Sequence, residues 1–140
     1  PYWRSDVSAA LVGMRRTTTK AEVVKAGLEC IAYQITDIVK LMAEAAGIEE
    51  LELRVDGGPT RNKFLMQFQS DILNCTVQVP DAEELSGIGA AYAAGLGSEI
   101  YGEDVFNRMK YTPFTPEMDE ETRQKKYGGW RDAVAMLLKR

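Results

Sequence analysis

Histidine is missing from all 140 residues of this chain. That absence removes Ser-His and Cys-His nucleophilic catalysis, imidazole-ligated zinc and imidazole proton transfer together. Any chemistry must use carboxylates, lysines, hydroxyls, backbone amides or a partner domain. Cysteine is scarce as well. Cys30 and Cys75 lie in separate apolar patterns without C-x-x-C spacing, which points to two reduced, buried thiols in a cytosolic protein, a disulfide being the lesser alternative. A long apolar run and a basic leader are both lacking: "PYWRSDVSAALVG" fits neither a signal peptide nor a membrane span. The start at Pro1 rather than Met suggests a piece of a longer protein. Positive charge is not in excess, with 17 basic against 21 acidic residues and a net charge of -4. Because the two signs are interspersed, the chain offers no electrostatic footprint for nucleic acid or for an anionic membrane surface.

What is present is ordinary globular composition, 45% hydrophobic and 27% charged, in about one domain's length. "TTKAEVVKAGLECIAYQITDIVKLMAEAAG" opens with Thr19 and has Glu22 three residues on, the capping-box arrangement that starts a helix. Val24, Leu28, Ile31, Ile35, Ile38 and Met42 recur at steps of three and four as one apolar stripe, and Gly47 is a natural stop. Residues 51–55, "LELRV", read as a strand; residues 60–73 read as a second helix with Leu65, Phe68 and Ile72 on one face; residues 75–79, "CTVQV", resume strand character before Pro80. Strand, helix, strand with tight connections predicts parallel pairing through a right-handed crossover, so the class is α/β with helices packed on a short parallel sheet.

A third helix is expected over residues 84–96, rich in Gly and Ala, whose small residues would let another element approach closely. Residues 98–111 read as a connector. Thr115, followed by Pro116, is the expected start of a last helix, which Gly128 and Gly129 could divide. Two short strands seldom make a stable sheet beneath three or four helices, so further strands are expected upstream of Pro1.

The junction "LRVDGGPTRNKFLMQFQSDIL" carries the candidate chemistry. A strand ending at Asp56 that turns through Gly57 and Gly58 into a helix aims backbone N–H groups and a positive helix end at one point, which favours an anion. Glycine there permits positive φ and close approach of a phosphate. Asp-Gly and Gly-Gly are also common turn dipeptides, so an ordinary turn stands as the alternative. Asp56 could ligate Mg²⁺ through water or hydrogen-bond turn amides. Asn62, placed about one turn into the helix, could read a base edge or ribose. Arg54, Arg61 and Lys63 could neutralise phosphates or be surface charge. No Walker A pattern is present, and "GIGAAY" fails the dinucleotide fingerprint because Tyr92 stands at the third glycine's place.

"LECIAYQITDIV", "LRVDGG", "NKFLMQFQSDIL", "GAAYAAGL" and "YGGWRDAV", in this order, resemble the carboxy-terminal domain of the FGGY carbohydrate kinases, and "GMRRTTTKAEVVKAGLE" resembles that family's second signature. The likeness spans nearly the whole chain and is greater to glycerol kinases than to xylulose or gluconate kinases. It implies a partial ribonuclease H-like domain of the actin and hexokinase ATPase type, with ATP and Mg²⁺ in a cleft between two domains. By that resemblance Gly58 lies at the nucleotide phosphates, Gly57 supports the turn, Asn62 contacts adenine and Asp56 is the acid of the same motif. It also implies that the first strands of this domain, the catalytic base and most of the polyol or sugar site lie outside this chain. No residue here is therefore nominated as catalytic, and the fragment alone is expected to be inactive. Pro59, Thr60, Thr17, Leu85 and Gly87 depart from the family pattern and bear on the polyol rather than on the kinase class. A non-catalytic interaction module, or a homo-oligomer joined through the exposed sheet edge, is the competing expectation.

Overall fold

The computed structural model describes residues 4–82 and 84–139. Pro1 and Arg140, which bounded the sequence reading, lie outside the described residues.

Helix α1 spans Lys20–Ala46. It starts where the capping box predicts: the Glu22 amide donates to Thr19 Oγ1, and the Thr19 amide donates to Glu22 Oε2 at 2.7 Å. Gly47, at φ 65°, closes it with a left-handed cap. Strand β1, Glu52–Arg54, pairs in parallel with β2, Thr76–Pro80, with Leu53 opposite Val77. Between them run a 3-10 turn, Gly58–Arg61, and helix α2, Lys63–Leu73, so the expected strand, helix, strand unit is present.

The sheet is not purely parallel. A third strand, β3 at Tyr111–Phe114, pairs antiparallel with β2, placing Val77 opposite Phe114 and giving the order β1-β2-β3. Its sequence, Tyr-Thr-Pro-Phe, hid it, because proline cannot donate to a ladder. Pro113 is tolerated here because β3 is an edge strand. Residues 98–111 are more than a connector for the same reason, and they also contain a 3-10 segment, Glu103–Arg108.

Helix α3 covers Leu85–Gly97, close to expectation. Among the described residues, the close neighbour anticipated for its small residues is largely absent. A Cβ built at Gly87, Gly89 or Gly97 would meet nothing within 4 Å. Gly95 is the exception, since a Cβ there would lie 2.1 Å from Tyr101 Cδ2. Tyr101, Phe106 and Tyr92 form an edge-to-face cluster over that contact.

Helix α4 spans Glu120–Leu138 without interruption at Gly128 or Gly129. Its cap is Asp119, whose carboxylate accepts from the Thr122 amide at 2.8 Å, and not Thr115. Residues 114–118 are held instead as a non-helical segment by side chains of α2, which keeps Pro116 out of the helix.

Helix α2 packs on β2, α1 packs beside α2, and α4 lies against both. The shared core is Ala32, Tyr33, Leu65, Met66, Phe68, Ile72 and Val77. Each large apolar side chain buried there contributes about 1.5–3 kcal/mol. The face of α1 that is inside is not the predicted stripe. Ala32, Tyr33, Thr36, Asp37 and Ala43 are buried, whereas Val24 is 56%, Ile31 42%, Ile38 44% and Met42 66% exposed. The helix turns a small and polar face inward because its Asp37 carboxylate is satisfied by α4, with Tyr127 Oη donating to Oδ1 and Trp130 Nε1 donating to Oδ2 at 2.9 Å.

Candidate functional site

β1 and β2 are parallel, so their carboxyl ends open on the same side of the sheet, the usual position for a ligand in an α/β unit. A cavity of about 240 Å³ lies there, lined by Gly57, Gly58, Thr60 and Arg61 from the first connection and by Val79, Pro80, Asp81, Ala82 and Glu84 from the second. Of the predicted residues, Gly57 and Gly58 come together at this cavity, while Asp56 and Asn62 are adjacent in the chain but do not line it.

The two glycines have different causes. Gly57 sits at φ 97°, a backbone conformation that side chains disfavour. Gly58 has no positive φ, and a Cβ there would meet nothing within 4 Å. Neither the turn nor the packing of this chain therefore requires glycine at 58.

The amides at the junction are mostly engaged internally. Gly57 N–H donates to Asp56 Oδ1 at 2.7 Å, Thr60 N–H to Gly57 O at 3.0 Å, and Asn62 N–H to Pro59 O at 3.0 Å. Pro59 has no N–H. Among the described residues Gly58 N–H has no such partner, so it is a donor open to a ligand at the turn. The nest of amides expected from the sequence is thus reduced by bonds within the turn itself.

Asn62 is not one turn inside the helix. It is the N-cap of α2, because the 3-10 turn after Gly57 uses up the residues that were read as the helix start. Its Oδ1 accepts from the Leu65 amide at 3.1 Å, and the remaining polar atom of the side chain, the amide nitrogen, is a donor. Asp56, by accepting from Gly57, acts as the turn's own carboxylate. Of the three cations considered, only Arg61 lines the cavity. Arg54 pairs with Glu52 at 3.3 Å and lies over the Tyr111 ring, and Lys63 is exposed at the start of α2.

Asp81 and Glu84 were not singled out from the sequence. The available signal was positional, since they follow the carboxyl end of the second parallel strand. Thr112 Oγ1 donates to Asp81 Oδ1 at 3.3 Å, which ties the rim of the cavity to β3.

A model of the FGGY family of carbohydrate kinases, C-terminal domain, matches residues 1–98. The chain belongs to the FGGY family. Among FGGY relatives, the glycerol kinase of Staphylococcus epidermidis is 45% identical over 137 residues, which is 96% of this chain and 28% of the relative. The structure of Plasmodium falciparum glycerol kinase with ADP superposes with a TM-score of 0.88 at 39% identity, covering 99% of this chain and 28% of that one. Xylulose kinase from Rhodospirillum rubrum superposes at 0.71 with 26% identity, over 90% of this chain and 26% of its own. The architecture is thus that of the FGGY kinases, with their actin and hexokinase type of ATPase fold. The chain spans little more than a quarter of the length of these FGGY proteins.

Proposed function

We propose that this chain is the carboxy-terminal, nucleotide-binding part of an ATP-dependent FGGY kinase, most like glycerol kinase. The whole protein would move the γ-phosphoryl group of ATP to a primary hydroxyl of glycerol, giving glycerol 3-phosphate and ADP, through positioning and charge stabilisation. The observation that carries this reading is Gly58: a glycine that neither backbone nor packing requires, with a free amide, at the carboxyl ends of two parallel strands. A phosphate oxygen approaching that amide would account for it. Gly57 supplies the turn, Asp56 holds it, and the Asn62 amide nitrogen is the donor offered to adenine.

No three His, Cys, Asp or Glu side chains converge as metal ligands among the described residues, so in this reading Mg²⁺ arrives on the nucleotide. The base that takes the hydroxyl proton, the polyol site and the first strands of the sheet belong to the remainder of the protein. The edge position of β1 among the described strands supports that placement, because added strands beside β1 would give it a partner. This chain alone has no kinase activity. A cytoplasmic location fits a kinase using ATP and a small polyol, and no helix among the described residues is long and apolar enough to cross a membrane.

Two alternatives remain as second readings. Another sugar, such as xylulose or gluconate, would change the acceptor and leave this half-site unaltered; the 39% identity with the superposed glycerol kinase against 26% with the superposed xylulose kinase favours glycerol. The other is an interaction module or homo-oligomer using the β1 edge. Calorimetric titration with Mg-ADP of the chain and of its Gly58→Val variant tests the main reading. Saturable binding that valine abolishes is expected. Equal binding by both folded proteins would remove Gly58 from the site, and a concentration-dependent oligomer that binds no nucleotide would favour the interaction reading.

A further inference from the structure

The amino-terminal end of α2 follows directly on the Gly58–Arg61 turn of the candidate site, and its second half does something different. Gln67, Ser70 and Asp71 lie at i, i+3 and i+4, a spacing that puts three polar side chains on one helix face. All three address the backbone of a segment more than forty residues away. Ser70 Oγ shares its one hydrogen between Cys75 O at 2.7 Å and Phe114 O at 2.9 Å, and Gln67 Nε2 donates to Thr115 O at 2.8 Å. Asp71 Oδ1 accepts from the Glu117 amide at 2.8 Å and the Met118 amide at 3.2 Å. The grip is returned from α4: Arg123 Nε donates to Asp71 O, and Arg123 Nη2 donates to Met118 O, each at 2.8 Å. Ser70 and Asp71 are buried. These contacts are to main-chain atoms, so the recognition depends on the path of residues 114–118 and not on their side chains.

We propose that this Gln67, Ser70 and Asp71 face is a backbone clamp through which residues 114–118 and α4 set the position of the Gly57–Asn62 junction. The 3-10 turn Gly58–Arg61 has no buried residue, so core packing of its own does not hold it. Its place is dictated by the two elements that flank it, β1 and α2. Helix α2 has eleven residues, a rigid rod of about 16 Å, and it joins the junction at Asn62 to the clamp at Asp71. Helix α1 and β2 support two sides of the rod, and the clamped segment with α4 supports another. Releasing the clamp leaves the rod free to shift on the first two, and a shift displaces Gly58 and the Asn62 cap. Asp71 is then a positioning residue for the nucleotide, acting from the far end of α2. This extends the proposed phosphate site but concerns the junction's position, which can be read without any ligand.

Amide hydrogen exchange and amide NMR shifts of the full chain, with Asp71→Ala, Asp71→Asn and Gln67→Ala variants, supply the test. Asp71→Ala is expected to speed exchange at Glu117 and Met118 by about tenfold or more and to shift the Gly57 and Gly58 resonances. The carboxamide oxygen introduced by Asp71→Asn still accepts from amides, so that variant should retain most of the wild-type behaviour in both readouts. Gln67→Ala, which removes a half-buried side chain, should act in the same direction as Asp71→Ala with smaller amplitude, and it carries the test if Asp71→Ala fails to fold. Where the chain binds Mg-ADP, Kd should rise by about threefold to tenfold in the alanine variants. Faster exchange at Glu117 and Met118 with unmoved glycine resonances and unchanged Kd would reduce the clamp to a stability element and overturn the proposal. A wild-type chain that binds no Mg-ADP would count against the phosphate reading, while the glycine resonances would still decide the clamp.

Discussion

Trp130 donates its indole N–H to Asp37 Oδ2 at 2.9 Å across 93 residues of chain, while the same indole stacks on Tyr33 one turn earlier in α1, with ring centroids 5.4 Å apart. Together with the Tyr127 hydroxyl on Oδ1, this makes one buried carboxylate the anchor of the last helix. Replacing Asp37 by alanine would leave two donors without their acceptor, and hydrogen bonds to charged groups contribute about 1.5–3 kcal/mol each. Asp37→Ala should therefore lower unfolding free energy by about 2–4 kcal/mol. Asp37→Asn can still accept from Trp130 and donate to Tyr127, and should cost about half as much. Urea denaturation followed by tryptophan fluorescence measures both.

The two glycines of the junction should separate stability from binding. Gly57→Ala forces a side chain into φ 97° and should destabilise by about 1–2 kcal/mol. Gly58→Ala meets open space and should change stability by less than about 0.5 kcal/mol, while weakening Mg-ADP binding. Thermal denaturation beside calorimetric titration distinguishes them. A Gly58→Ala protein as destabilised as Gly57→Ala would mean that the turn, and not a ligand, selects both glycines.

Asp119 makes the start of α4 sensitive to acid. Hydrogen bonds from the Thr122 amide and hydroxyl hold its carboxyl below the usual carboxylate range, with partial desolvation opposing them. A depressed folded-state value means that the stabilisation is fully present above the ordinary aspartate pKa and is lost as pH falls through the lowered one. The first turn of α4 should therefore fray on acidification. Asp119→Asn keeps a capping oxygen but no titration, so its first-turn amide exchange, corrected for intrinsic rates, should lose this pH dependence.

The two thiols should react in order. Cys75 is buried and burial pushes its thiol pKa up, whereas Cys30 is half-buried with its sulfur accepting from Gln34 Nε2. Iodoacetamide at about pH 8 should modify Cys30 in the native chain and Cys75 only on unfolding. Mass spectrometry with and without urea reads the result, and equal native labelling would contradict the buried environment of Cys75.

The elements legible in the sequence are those with local causes. Thr19 with Glu22 and Gly47 bound α1 because caps satisfy orphan backbone groups within a few residues. The strand, helix, strand order around Asp56, Gly57 and Gly58 was legible because hydrophobic period and turn chemistry change abruptly there. The motifs quoted from that region and its flanks also carried the FGGY resemblance, which the family match bears out.

Long-range relationships had no local signature. Tyr111–Phe114 became a strand only because β2 offered an edge, despite Pro113. Thr115 and Pro116 had the chemistry of a helix start, yet Gln67 and Asp71 hold this segment out of the helix and Asp119 caps it instead. Periodicity identified a stripe on α1 but not the direction it would face. Asp37 could turn inward only because Tyr127 and Trp130 arrive from the other end of the chain to satisfy it. Sequence alone thus determined where backbone groups needed caps and turns, since those partners are neighbours. Tertiary structure decided which faces are buried, since the desolvation of a polar group is set by partners that folding brings together.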